Sequence, residues 1–316
     1  MARLAVVLGS GGARGYAHIG ALEVAEERGH EVVAISGSSM GALVGGLTAA
    51  GKLGQFTVWV TGMNQFDVLR MLDPAAVGSP GLVNAKRVTR KLSDMLEGVR
   101  IEDLKIPYTA VATDLGSRRE VWFQRGPLDV AIRASIAMPS FITPVLVGDR
   151  LMVDGGVVNP LPIEPTLAVP ADGVLAVDLN GPSRARKPEQ PVSTPLHATA
   201  DATPSRDWLE RFRRGAAELL DQSGLSNLVK KVEPDQTPDL YTLSPAPKDL
   251  TYVDLVTQTV DLMGSLITRY RSASNQPDIM IRVPHDACRV ADFHRAPEMI
   301  ALGRRLATEA FDAAGY

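Results

Sequence analysis

The sequence predicts an α/β fold with a mostly parallel central sheet flanked by helices. Three observations predict it. Short apolar runs alternate with helical patterns through residues 1–180. The first strand–loop–helix–strand passage takes about 40 residues, which implies parallel strands joined by a right-handed crossover. The first two of these strands each run into a glycine-bearing turn before a helix.

Taken in order, Arg3–Leu8 is apolar on both parities and reads as a strand buried on both faces. Residues 16–28 read as a helix with Ala17, Ala21, Leu22 and Ala25 toward the core. Val32–Ser36 is a second buried strand, and Met40–Ala50 the helix after it. Further strands are expected at 107–113, 119–124, 151–153 and 173–179, with helices at 84–96 and 127–137. Residues 181–206 break the pattern. They carry Pro182, Pro188, Pro191, Pro195 and Pro204 and few large apolar side chains. Such a segment buries too little surface to offset its ordering entropy, so a mobile loop is expected. Helical patterns resume at 207–222 and 250–272. In the second, Val253, Val256, Val260, Met263, Ile267 and Tyr270 recur at helical spacing and are expected to face the core. A strand over Asp278–Val283 and a helix from Pro297 to near Asp312 close the chain. The expected organisation is one domain over 1–316: a core at 1–180, the loop at 181–206, a helical insertion at 207–272, and a C-terminal strand and helix at 278–313.

Composition narrows the function. With 45% hydrophobic residues in 316, the chain has enough apolar surface to build a core. Lys plus Arg is 33 and Asp plus Glu is 36, a net charge of −3, which argues against nucleic acid as the partner. A single cysteine, Cys288, excludes an internal disulfide framework and a Cys-cluster metal site. The first apolar run, Leu4 to Leu8, is too short for a signal segment, and no run of about 18 apolar residues occurs. A cytoplasmic protein is expected.

Gly37-Ser38-Ser39-Met40-Gly41 fits G-x-S-x-G between a predicted strand and a predicted helix, the context of a nucleophile elbow. The tight turn lifts Ser39 above the sheet edge; the alternative is an ordinary glycine turn capped by serine. Gly9-Ser10-Gly11-Gly12-Ala13-Arg14-Gly15 follows the first strand and offers several free N–H groups to an anion. A pyrophosphate, a phosphate or the oxyanion of a tetrahedral intermediate would fit. A dinucleotide site stays open at this point, with Ser10, Gly12 and Gly15 at the fingerprint positions and Glu31 as the ribose-binding acid. A Walker A loop is excluded, because no Gly-Lys-Ser/Thr follows. Asp154-Gly155-Gly156 after the strand at 151–153 is either a hairpin turn or an acid aimed across the sheet edge toward Ser39. Of the five histidines, His18 lies one turn into the helix after the glycine loop. His30 ends that helix, where a cation suits the dipole. His197 falls in the 181–206 loop, and His285 and His294 flank the last strand, where an α/β-hydrolase would place its base. That fold has more strands before its elbow than the single one found here.

Together these residues resemble the patatin-like phospholipase family, in its small bacterial branch. The glycine loop at 9–15, the elbow at 37–41 and Asp-Gly-Gly at 154–156 occur in the family's order. Ala112-Thr113-Asp114-Leu115, Ala131-Ile132-Arg133-Ala134-Ser135, Met138-Pro139 with Phe141 and Pro144, and Asn159-Pro160 are also similar. The likeness covers about 1–180, with a looser match at Ala291-Asp292-Phe293 and the last helix. Ser10 departs from it, standing where the family often has Gly.

The resemblance implies a three-layer α/β fold and a Ser–Asp dyad without histidine. Ser39 would be the nucleophile, Asp154 the general base, and Gly11, Gly12, Ala13, Arg14 and Gly15 the oxyanion loop, with Gly37, Met40 and Gly41 forming the elbow. Asp154 must be desolvated enough to raise its pKa to a useful value, while a place at a strand end suggests partial solvation. Arg14 would bind a phosphate headgroup or lock the loop through carbonyl groups. The implied reaction is hydrolysis of an acyl ester of a lipid or lysolipid, with no metal or cofactor and with transient, peripheral membrane contact. Two alternatives stand beside it: a regulator that binds an acyl ligand on the same fold, and a nucleotide-binding α/β enzyme.

Overall fold

The computed structural model describes residues 1–71, 73–75, 81–183 and 252–316, the side chains of 252–254 excepted. The expected helix at 207–222, His197 and nearly all of the expected loop at 181–206 lie outside the described residues. Among the described residues, no helix is long and apolar enough to cross a membrane.

The chain opens with β1 (Arg3–Leu8), a 3-10 turn at Gly12–Tyr16, α1 (Ala17–Glu27), β2 (Glu31–Ser38) and α2 (Met40–Ala49). It continues through α3 (Leu53–Thr61), α4 (Gln65–Met71), β3 (Gly81–Val83), α5 (Lys86–Leu96), β4 (Tyr108–Asp114), β5 (Arg119–Phe123) and α6 (Leu128–Ser135). Then come β6 (Ser140–Ile142), β7 (Val145–Val147), β8 (Arg150–Asp154), β9 (Gly173–Gly181), α7 (Tyr252–Ser272), β10 (Ile279–Pro284) and α8 (Ala296–Ala314).

The main sheet runs β10-β9-β1-β2-β4-β8-β7, with β5 also on β4. Its first five strands are parallel, and β5, β7 and β8 are antiparallel. The apolar-on-both-parities pattern of β1 has its expected cause. Leu4, Val6 and Leu8 enter the main core with α1, α2 and α8, while Val7 enters a second cluster with Leu161, Ile163 and Ala176 on the other face.

One feature of pairing places the site. Ala110 pairs with both β2 and β5, and Ala112 with both β5 and β8, so β2 and β8 share one edge of β4. Strand β2 leaves that edge at Ser38, opposite Val111, and antiparallel β8 arrives along it to end at Asp154, opposite Ala112. Two strand ends therefore meet head-on at adjacent β4 residues.

Three expectations need correction. The stretch between α2 and α5, for which no element is expected above, contains α3, α4 and β3, and β6 and β7 are further strands of three residues each. The apolar stripe of α7 does not face the core. Met263 is 57% and Tyr270 77% exposed, whereas Gly264 and Thr268 are buried and Val256, Val260 and Ile267 half-buried. The buried face carries the small and polar residues because it lies against backbone, Gly264 sitting over Pro160 and the Gly156 carbonyl. Finally, His30 is not a cationic cap. Burial pushes its pKa down, its ring stacks on Phe311 at 5.2 Å, and Nδ1 accepts the Ala2 N–H.

Candidate active site

Ser39 sits between β2 and α2 with φ +55° and ψ −121°, a strained conformation for a residue with a side chain. The glycines on either side explain how the turn closes: a Cβ at Gly37 would strike the Gly41 backbone, and one at Gly41 the Leu8 carbonyl. The Ser39 N–H donates to Ser135 Oγ at 2.9 Å, and Ser135 Oγ donates to the Val111 carbonyl at 2.6 Å. Ser135 thus ties the elbow to β4. The sequence offered no signal for that role beyond its place in the similar segment at 131–135.

Ser39 Oγ donates to Asp154 Oδ2 at 2.5 Å. The other carboxylate oxygen accepts the Gly156 N–H at 2.7 Å, and the Asp154 carbonyl accepts from Thr113 Oγ1 at 2.9 Å. Asp-Gly-Gly is therefore no hairpin; it opens a 3-10 turn at Gly155–Val157 that the Asp154 side chain caps. Asp154 is 2% exposed, which corrects the expected partial solvation. Burial pushes its pKa up to about 7; the hydrogen bonds from Ser39 and Gly156 oppose that shift, and the nearby Asp261 charge adds to it.

The glycine loop lies beside this pair. Its start is held by the Gly9 N–H on Val177 O, the Ser10 N–H on Pro160 O, and buried His18, whose Nε2–H donates to the Gly9 carbonyl at 2.8 Å. Burial pushes His18 down to about 4, so it is neutral at pH 7. The Ala13 N–H is taken by Val290 O at 2.9 Å. Gly11 and Gly12 open the 3-10 turn, where N–H groups lack an acceptor within the turn, and Gly12 lines the same cavity as Ser39. Arg14 is 1% exposed. It donates from Nε to Gly11 O (3.1 Å), from Nη1 to His285 O (2.7 Å) and from Nη2 to Asp261 (2.5 Å). Of the two roles expected for it, these contacts are those of a loop lock. Gly15 packs under Met40, where a Cβ would collide with its side chain.

Ser39 opens onto a cleft walled by Leu43, Phe56, Trp59, Met63, Phe141 and other apolar side chains. Asp154 lines a smaller pocket with Ser10, Asn180, Val260, Asp261 and Gly264. Met138 borders both. Neither His18, His30, His285 nor His294 lines either one. Among the described residues, no group of three or more His, Cys, Asp or Glu gathers to hold a metal. Glu31 is exposed at the amino end of β2, 3.9 Å from Arg3, at the opposite end of that strand from the glycine loop. A ribose-binding acid belongs at the carboxyl edge, so the dinucleotide alternative loses its support.

A strained serine on a strand-to-helix elbow, hydrogen-bonded to a buried aspartate, thus stands at the carboxyl edge of the parallel strands of an α/β fold. A family model described as Patatin-like phospholipase matches residues 6–167. The uncharacterized NTE family protein Rv1063c of Mycobacterium tuberculosis (strain ATCC 25618 / H37Rv) is 40% identical, over 98% of this chain and 92% of its own length. The chain belongs to the patatin-like phospholipase family, whose members are lipid acyl hydrolases. Patatin-like phospholipase domain-containing protein 6 of Mus musculus is 30% identical over 56% of this chain and 13% of its own. Among solved structures, VipD from Legionella pneumophila shares the fold, with a TM-score of 0.51, 13% identity, and coverage of 99% of this chain and 67% of that one.

Proposed function

We propose that the protein is a serine lipid acyl hydrolase working through a Ser39–Asp154 dyad. The observation that carries the reading is the 2.5 Å hydrogen bond from Ser39, which lines an apolar cleft, to a buried carboxylate. Ser39 Oγ attacks the ester carbonyl carbon while its proton passes to Asp154 Oδ2. A carboxylate with an ordinary pKa of about 3.9 is a poor base toward a hydroxyl; burial brings Asp154 to about 7, where base strength and ionised fraction are balanced near neutral pH.

The carbonyl oxygen becomes an oxyanion that accepts the N–H groups of Gly11 and Gly12, within a loop that Arg14 braces and that Ala13 and Gly15 anchor to neighbouring elements. Asp154 returns the proton to the leaving alkoxide, which departs as the alcohol. Water then adds to the acyl-enzyme with Asp154 again as base, releasing the acid and restoring Ser39. The apolar cleft takes the acyl chain against Leu43, Phe56, Trp59 and Phe141. A lipid or lysolipid ester is the substrate class, reached through transient, peripheral contact with a lipid surface.

A fluorophosphonate probe is expected to label the peptide containing Ser39, and Ser39→Ala to abolish both labelling and hydrolysis of p-nitrophenyl esters. A wild-type chain that binds acyl ligands yet turns over none of these esters would favour the regulator instead.

A further inference from the structure

Helix α7 follows the glycine loop by about 240 residues, yet it contacts both halves of the site. From its middle, Asp261 pairs with Arg14 at 2.5 Å. One turn on, Gly264 packs over Pro160 and the Gly156 carbonyl, beside Asp154. At its end, Arg271 donates to Glu120 (3.1 Å) and Glu164 (2.9 Å from Nε), and Glu120 also accepts from fully buried Asn159 at 2.6 Å.

The Arg14 contact has a geometric consequence. A peptide group is planar, with its carbonyl and the next N–H pointing in opposite directions. Arg14 Nε holds the Gly11 carbonyl, and the N–H of that same peptide belongs to Gly12, which lines the Ser39 cleft. Holding the oxygen therefore aims the N–H. The guanidinium that does the holding is itself fixed by the His285 carbonyl and by Asp261, the latter being its only carboxylate partner among the described residues. The Arg14 side chain is 2% exposed and that of Asp261 21%, so the pair is shielded from the screening that weakens surface ion pairs.

We propose that Asp261 is a positioning residue for ester hydrolysis: through Arg14 it orients the Gly11–Gly12 peptide as oxyanion donor, and α7 straps that loop to the Asp154 turn. The inference rests on the Ser39–Asp154 reading. It also gives Asp261 a second effect, because its charge acts on Asp154. The other ionisable groups around the pair are Asp178 on β9, Arg282 on β10 and Cys288 beyond Arg14, and these are left in place by the test.

The test compares Asp261→Asn, Asp261→Glu and Ser39→Ala, measuring kcat and KM on p-nitrophenyl butyrate from about pH 5 to 9, with Tm for each. Asp261→Asn is expected to lower kcat by about 10- to 100-fold, less than or equal to the loss of an oxyanion donor, with KM within about 3-fold. It removes a negative charge near Asp154 and leaves Arg14 unopposed, so the acid limb of the profile is expected to move to lower pH by at least about half a unit. Asp261→Glu is expected to recover part of kcat and to return the limb toward wild type. A kcat within about 2-fold of wild type in Asp261→Asn, with Ser39→Ala inactive, would overturn the strap alone. So would a loss that follows Tm with the acid limb unmoved, the mark of a merely structural residue. Activity surviving in Ser39→Ala would instead overturn the underlying dyad.

Discussion

On the Ser39 side of the central hydrogen bond the wall is apolar: Leu43, Phe56, Trp59 and Phe141 line the larger cleft, and no charged side chain does among the described residues. On the Asp154 side the pocket is smaller and mixed, with Ser10, Asn180 and Asp261 set among Met138, Val157, Pro160 and Val260, and behind it stand the ion pairs of α7. The two walls come from different parts of the chain. The apolar one is built mostly by α2, α3, α4 and the stretch from Ile136 to β6, while the other joins the turn after β8 to α7, with Ser10 and Asn180 from the ends of β1 and β9. On the proposed reading, an ester is expected to lie with its acyl chain along the apolar cleft and its alcohol end toward Ser10, Asn180 and Asp261. The division also allows one residue to be both buried and basic: Asp154 loses solvent but keeps two hydrogen bonds to its carboxylate.

The largest test of that division removes the groups at its centre. Asp154→Asn keeps the shape but not the proton acceptor, and kcat/KM is expected to fall by at least about 100-fold, with wild-type activity itself falling as pH drops below about 7. Stability moves the other way. A carboxyl whose folded pKa lies above its unfolded value destabilises the fold increasingly as pH rises through the interval between them, from about 4 to about 7, and by a constant amount above it. Asp154→Asn is therefore expected to raise Tm relative to wild type by little at pH near 4 and by more at pH near 8, the difference being a few kcal/mol at most, on the order of one to four. Thermal melts across that range check it. A variant that is less stable than wild type at every pH would show that the carboxylate is needed for folding.

The apolar wall is tested by filling it. Met63 is half-buried and lines the cleft. Met63→Trp is expected to cut kcat/KM for long-chain p-nitrophenyl esters by about 10-fold while leaving the butyrate ester within about 2-fold. Equal losses on both chain lengths would mean that the cleft does not hold the chain.

A smaller effect is expected where the two walls join the sheet. Ser135→Ala leaves the Ser39 N–H and the Val111 carbonyl without their partner, at a cost of ~2 kcal/mol in stability. Activity is expected to fall by about 3- to 10-fold, since the elbow geometry loosens while the dyad stays. Denaturant melts and kcat on one ester measure both.

The sequence carried the Ser39 wall further than the Asp154 wall, for a physical reason. The elbow, the glycine loop and the strands that feed them are local: each is a strand, a turn and a helix within a short span, so periodicity and glycine placement reveal them. Asp154 needed the resemblance, because its partner comes from the sharing of the β4 edge by β2 and β8, a long-range pairing that no local pattern records. Ser135 makes two hydrogen bonds across the fold and Asp261 one, to Arg14, and both read in the sequence as ordinary helix residues. The reading of α7 failed because apolar spacing identifies a face but not which neighbour covers it; here a glycine and an aspartate face the protein, and leucines and a tyrosine face outward.

The smallest expected effect separates a dyad from a triad. In a triad, replacing the histidine costs about as much as replacing the nucleophile, because the members act as a unit. The position occupied by such a histidine is taken here by Asp154, which contacts Ser39 directly. His285 contributes its backbone carbonyl to Arg14, and its ring Nδ1 lies 3.2 Å from the Gly181 carbonyl. His294 sits in a 3-10 turn before α8. An alanine at 285 keeps the carbonyl, so the Arg14 contact survives. His285→Ala and His294→Ala are therefore expected to retain kcat/KM within about 3-fold of wild type. His18→Ala is expected to lose more, through Tm as well as rate, because its ring is fully buried and holds the Gly9 carbonyl at the start of the glycine loop. Measuring kcat/KM and Tm together distinguishes these outcomes. A His285 or His294 variant that melts like wild type yet is as inactive as Ser39→Ala would place a histidine in the chemistry and remove Asp154 from the role of base.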